Sequence, residues 1–244
     1  MASTHTSIAL PLFRLFLSTV ATRGRLIVLG LLAAIGPAIG IAINRGTSTS
    51  RERTEAWAVV ASNYGMTLLA GVGSLMVAAA VLGTLAEDST LVYVWLRPIA
   101  RWKLAVVAWL AAVAIVLPLA TTSLLFGGAL AGATANATMG GVAGVVLAVS
   151  AYGAMFTWLG LRTKRPLSWG LGYVLVWEGF VARAGSGAAR LAVASYTRSI
   201  LARAADVELR LADRAQWTSV VIPLVVTALG LALATRRLAR ADVA

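Results

Sequence analysis

Six stretches of this chain run for about 20 residues with almost no charge, each long enough to cross a ~30 Å hydrocarbon core as a helix. Lipid offers no water to the backbone, so a crossing segment must satisfy its own N–H and C=O groups, and a helix does so within one segment. The stretches cover residues 26–43, 57–85, 104–126, 139–161, 167–182 and 218–235. They predict an all-α polytopic membrane protein, with residues 1–244 forming a single transmembrane domain. The second stretch is long enough to tilt or protrude. The fifth is short and ends against Arg183 and the Gly185-Ser-Gly187 sequence. Only 12% of residues are charged, about half the ~25% of an ordinary soluble domain. That deficit argues against disorder and against a soluble enzyme.

Residues 8–22 form a seventh apolar segment, too short to span and interrupted by Arg14. Ile8, Leu12, Leu15, Phe16 and Val20 recur near helical spacing, which predicts an amphipathic helix lying at the membrane surface. A signal peptide carries its basic residues ahead of the apolar run. Here Arg23 and Arg25 follow it.

The net charge of +12 would suggest nucleic acid in a soluble chain. The basic residues instead sit mostly at the ends of the apolar stretches, where membrane topology uses them, so no nucleic-acid partner is expected. With the N-terminus inside, 12 of the 21 Lys and Arg fall on the inner side. The expectation is a multi-pass protein of the cell membrane with both termini cytoplasmic. Trp57 and Trp217 at outer ends, with Trp102, Trp158 and Trp169 near inner ends, read as interfacial anchors. Trp109 falls within a span and reads as a packing residue. Pro37, Pro118 and Pro223 interrupt three spans, tolerable where neighbouring helices re-satisfy the freed carbonyls. Gly36–Gly40 and Gly140–Gly144 permit close helix approach, within the chain or between copies.

There is no cysteine, and the single histidine is His5 in a polar tail. Thiolate chemistry, histidine-based zinc or haem sites and Ser–His–Asp catalysis therefore have no candidate residues. No GxxxxGK[ST] pattern is present, so the chain does not hydrolyse nucleotide by a P-loop. The reading is a non-enzyme with no metal or cofactor of its own.

Glu178 is the one acid well inside a span, and an ionised group at that depth is costly unless paired or hydrated. Two readings stay open. It is a polar group on a transport path or a proton-sensitive switch, or it pairs with Arg183, Arg190 or Arg198 and pins the segment that follows. On the second span, Asn63, Thr67 and Ser74 are spaced by four and seven residues and share a helix face. They could line a polar path or hydrogen-bond between helices. Tyr173 and Trp177, four apart, could present an aromatic wall to an amphipathic substrate or belong to the core.

The segment 86–103 between the second and third spans is the most informative. Glu87 and Asp88 open it, Thr90 and Leu91 follow, and Arg97-Pro98-Ile99-Ala100-Arg101 close it before Lys103. This pattern resembles the permease subunits of the ABC-2 family, the type V class of ATP-binding-cassette exporters. Those carry an acidic residue, Gly-Thr-Leu, and Pro-(Ile/Val)-(Ser/Ala)-Arg before the third span. Ser89 stands where the family usually has glycine. Tyr173-Val-Leu-Val-Trp-Glu-Gly179 and Ala194-Ser-Tyr-Thr-Arg-Ser-Ile200 also look like segments of small bacterial permeases of that family.

The resemblance implies six transmembrane helices, an N-terminal interfacial helix and a re-entrant external element between helices five and six. It implies a second permease copy or paralogue and a separate ABC ATP-binding subunit that holds ATP and magnesium. Glu87, Asp88, Thr90, Arg97, Pro98 and Arg101 would dock that ATPase, while Asn63, Thr67, Ser74, Tyr173, Trp177 and Glu178 are the substrate-path candidates. The function so implied is export of a hydrophobic or amphipathic substrate by alternating access. The alternative is a self-sufficient secondary carrier or channel that uses Glu178 for ion coupling.

Overall fold

A computed structural model describes residues 9–87, 100–210 and 212–240. The described residues form helices and connecting turns, with no strand among them. Helix α1 (Ala9–Val20) precedes α2 (Arg23–Gly46). Helix α3 (residues 50–87) is continuous through three parts: α-helical Ser50–Val60, wide i→i+5 turns over Ala61–Val72, and α-helical Gly73–Glu87. Then come α4 (Arg101–Ala131) and α5 (Ala135–Arg162). Helix α6 (residues 166–184) again carries wide turns, over Gly172–Val181. The short α7 (Ser186–Ala189), α8 (Val193–Ala205) and α9 (Gln216–Arg240) complete the chain.

Five of these helices are long and apolar enough to cross a membrane: α2, α3, α4, α5 and α9. The chain is a polytopic helical membrane protein. Helix α1 buries Leu12, Phe16 and Val20, one per turn, against α3 and α4. Leu10 and Leu15 stay exposed, so the amphipathic pattern of the segment is real. The long helices overrun their apolar windows at both ends. Helix α4 begins at Arg101 and runs to Ala131, where Gly132 stops it in the left-handed region at φ 69°. Helix α3 starts at Ser50 because Thr49 and Glu52 form a reciprocal capping box.

Small residues set the closest approaches. Gly36 of α2 lies on Ser123 of α4, and Gly40 lies on the backbone of Gly127. Gly140 and Gly144 of α5 receive α8 at Ala204, Leu201 and the Thr197 carbonyl. Both small-residue pairs are thus used within the chain. Pro37 cannot donate to the Ala33 carbonyl four residues back. Ser123 Oγ of α4 donates to that carbonyl instead, at 2.6 Å, and the Tyr64 hydroxyl of α3 donates to the adjacent Leu32 carbonyl at 2.6 Å.

Trp57 departs from the anchor role expected of it. Its ring is wholly buried, wedged against Gly127 and Gly128 of α4. Two successive glycines leave a slot that the indole fills. Trp102, Trp169 and Trp217 do leave their rings exposed near helix ends. Trp109 packs on α5, its Nε1 donating to the Ser150 carbonyl at 3.0 Å.

Candidate functional site

Helix α8 is amphipathic by sequence, yet Val193 to Ser199 are buried without exception. It lies between α3, α5 and α9. Its first turn would leave N–H groups orphaned away from water. Glu178 of α6 meets that need: Oε1 accepts from the Val193 N–H at 3.0 Å, and Oε2 from the Ala194 N–H at 3.3 Å. A carboxylate at a helix N-terminus also complements the helix dipole.

The wide turns of α6 supply a third donor. With i→i+5 bonding in these turns, Tyr173 and Glu178 come to the same side of the helix, and the Tyr173 hydroxyl donates to Oε1 at 3.0 Å. Tyr173 also packs edge-on to Tyr152 and Phe156 of α5, with ring centroids 6.5 and 6.4 Å away. The Tyr152 hydroxyl faces the same carboxylate from α5 without closing a hydrogen bond of good geometry. Glu178 itself is 1% exposed.

Arg198, one turn into α8 and buried, reaches across to α3. Its Nη2 donates to Thr67 Oγ1 at 2.8 Å, and its Nε to the Ser62 carbonyl at 3.4 Å. Thr67 Oγ1 donates in turn to that carbonyl, five residues back, at 3.4 Å. Arg198 lies on the same first turns of α8 whose Val193 and Ala194 N–H groups Glu178 holds. Thus the two segments of wide turns, in α3 and α6, flank α8 and each brings an i,i+5 polar pair to it. Ser195 Oγ donates to the Ala189 and Ala192 carbonyls, and the Tyr196 hydroxyl to the Arg190 carbonyl, which locks the turn that carries α6 into α8.

A cavity of about 210 Å³ runs to the cluster from the end of the bundle where α8 finishes. Ser62, Asn63 and Arg198 line it together with Glu208 and Arg210. Asn63 donates to the Val59 carbonyl at 2.9 Å. Ser74 lies further along α3, buried, with no hydrogen-bond partner among the described residues. The fold therefore gathers Thr67, Tyr173 and Glu178, with Asn63 at the mouth. It leaves Ser74 and the half-buried Trp177 apart. Of the three arginines considered for Glu178, Arg198 shares the cluster, Arg190 is exposed, and the Arg183 side chain is outside the described residues.

Among the residues expected to dock an ATPase, Glu87 is the last of α3 and Arg101 the first of α4. Asp88, Thr90, Arg97 and Pro98 lie outside the described residues. Sequence reasoning missed Tyr152, Ser62 and the two backbone N–H groups. The available signal was the glycine break at Gly185-Ser-Gly187, where the helix carrying Glu178 stops.

No protein-family model matches the chain, and no curated protein matches it. Its class, a polytopic helical membrane protein, therefore rests on its own apolar helices.

Proposed function

We propose that this chain is the membrane-spanning permease subunit of an ATP-driven exporter of the ABC-2 kind, moving a hydrophobic or amphipathic substrate out of the cell. The observation that carries the reading is α8, a buried helix that folds back after α6 and hangs on Glu178. It corresponds to the re-entrant external element that the sequence resemblance implies. The amphipathic α1 corresponds to the interfacial helix. In this reading α6 is the sixth crossing element, beside α2, α3, α4, α5 and α9, and both termini are cytoplasmic.

The segment 86–103 joins α3 to α4 and is where a separate ATPase would dock, holding ATP and magnesium itself. Closure of two such ATPases pushes on α3. Helix α3 is the most buried of the long helices, with 78% of its apolar window inside the protein. It carries Ser62 and Thr67 to Arg198, so its displacement bears on α8. Two permease copies would then rock between inward and outward access. Glu178 is held by three fixed donors, which favours a pinning role over ion coupling.

The test is a mild-detergent pull-down of the tagged chain from native membranes, with mass spectrometry of what accompanies it. A stoichiometric P-loop ATPase, weakened by Glu87→Ala and Arg101→Ala, is expected. Recovery of the chain alone in several detergents would sink the exporter reading.

A further inference from the structure

At the end of the bundle opposite the 210 Å³ cavity, a second cavity of about 410 Å³ lies between the starts of α2 and α6 and the later part of α3. A volume of that order takes a ligand-sized group, not a lone ion. Arg25, Lys164 and Arg165 line it, and no carboxylate does so among the described residues. Its remaining wall is largely apolar, with Met76, Ala80 and Leu167. Arg25 Nη1 is shielded from solvent and has no hydrogen-bond partner among the described residues. A shielded guanidinium nitrogen is costly to leave unmatched, and an acceptor with several oxygens corrects that.

We propose that this cavity binds the phosphate headgroup of an anionic membrane phospholipid, with Arg25, Lys164 and Arg165 on the phosphate and Met76 and Leu167 against the first acyl carbons. The combination of cations with an apolar wall selects an amphiphile over a free anion. Basic pockets between transmembrane helices are suited to such headgroups. Lys164 and Arg165 immediately precede α6, and Arg25 lies in the first turn of α2. A phosphate held by all three ties the start of α6 to α2 across α3. The inference requires that the helices sit in a membrane, but it is independent of the exporter reading.

The experiment titrates the detergent-solubilised full chain with short-chain phosphatidylglycerol, phosphatidylcholine or inorganic phosphate, reading bound mass by native mass spectrometry and the unfolding midpoint. Phosphatidylglycerol should bind and raise the midpoint, and phosphatidylcholine should do neither. Neutralising all three cations to glutamine should weaken the binding about 100-fold, near 1 kcal/mol for each. Arg45→Gln, an exposed cation at the far end of α2, should leave phosphatidylglycerol binding intact. Loss of binding in Arg45→Gln alone, or equal stabilisation by millimolar inorganic phosphate, would overturn the lipid assignment. A photoreactive phosphatidylglycerol on the unaltered chain covers the case in which the variants do not fold. Crosslinks at residues 164–168 support the site, and crosslinks confined to Arg236 and Arg237 refute it.

Discussion

Helices α2 and α3 are both long enough to cross a bilayer, yet they occupy opposite places in the fold. Helix α2 has the higher mean hydropathy, 2.6 against 2.0 in their apolar windows, and only 22% of that window is buried, against 78% for α3. In water the more apolar helix would go inside. In lipid, apolar surface gains little by exchanging acyl chains for protein, so small and polar residues decide what is buried. Helix α3 buries Ser62, Thr67 and Ser74 together with Gly65 and Gly71, whereas α2 leaves Ile27 and Leu31 on the outside.

The largest effect should fall on the polar cluster that α3 helps to enclose. Glu178→Ala leaves the Val193 and Ala194 N–H groups and the Tyr173 hydroxyl without their acceptor, at an expected cost of at least about 3 kcal/mol. Glu178→Gln keeps an acceptor and should cost clearly less. Leu31→Ala on α2, a larger loss of apolar surface on the outside, should be near neutral. Reversible unfolding in mixed micelles measures all three, and a Leu31→Ala cost equal to that of Glu178→Ala would break the contrast.

A matched pair of glycines gives the next effect. A Cβ on Gly160 of α5 would meet the backbone carbonyl of Ala79 on α3, which cannot step aside as a side chain can. Gly160→Ala should therefore destabilise by about 1–3 kcal/mol. On α2, Gly30 has nothing within 4 Å of an added Cβ. Gly30→Ala should stabilise by up to about 1 kcal/mol through helix propensity alone. The same chemical change with opposite signs, read by the same unfolding assay, would separate the packed interior from the lipid-facing rind. Equal signs would mean that α2 is covered by protein after all.

Much of this architecture was legible from the chain. The apolar windows located every long helix, and the spacing of Leu12, Phe16 and Val20 gave α1 its buried face. The ends were less legible, because residues such as Arg101 and Ser50 are helical without being apolar. Hydropathy cannot see a helix that continues into the headgroup region. Glu178 was legible as a buried acid that needs a partner, but the partners were not. Two of them are backbone N–H groups, which leave no mark in a sequence, and the third depends on wide turns that bring Tyr173 over it five residues away. A periodicity of 3.6 pairs Tyr173 with Trp177 instead. Trp57 was misplaced for a related reason: its slot is made by Gly127 and Gly128, distant in sequence, and nothing near Trp57 announces them.

The smallest effect tests why α3 is held inside. Two arginine pairs of nearly equal length differ in burial and in their acceptor, a carboxylate on the surface and a hydroxyl inside. Arg51 and Glu55 form an ion pair at 2.9 Å on the surface of α3's first turns, with side chains 86% and 45% exposed. Arg198 and Thr67 meet at 2.8 Å inside the bundle. The surface pair should show a coupling of about 0.3–0.5 kcal/mol in a double-mutant cycle, falling as salt is raised. The buried pair, a guanidinium donating to a hydroxyl away from water, should couple by about 1 kcal/mol and be insensitive to salt. Arg198→Met and Thr67→Val, singly and together, give that cycle. A coupling no larger than the surface pair's would mean that the tie to α8 does not fix α3. The close approaches at Gly65 and Gly71, which any polar substitution on α8 would leave intact, would then be what keeps α3 at the centre.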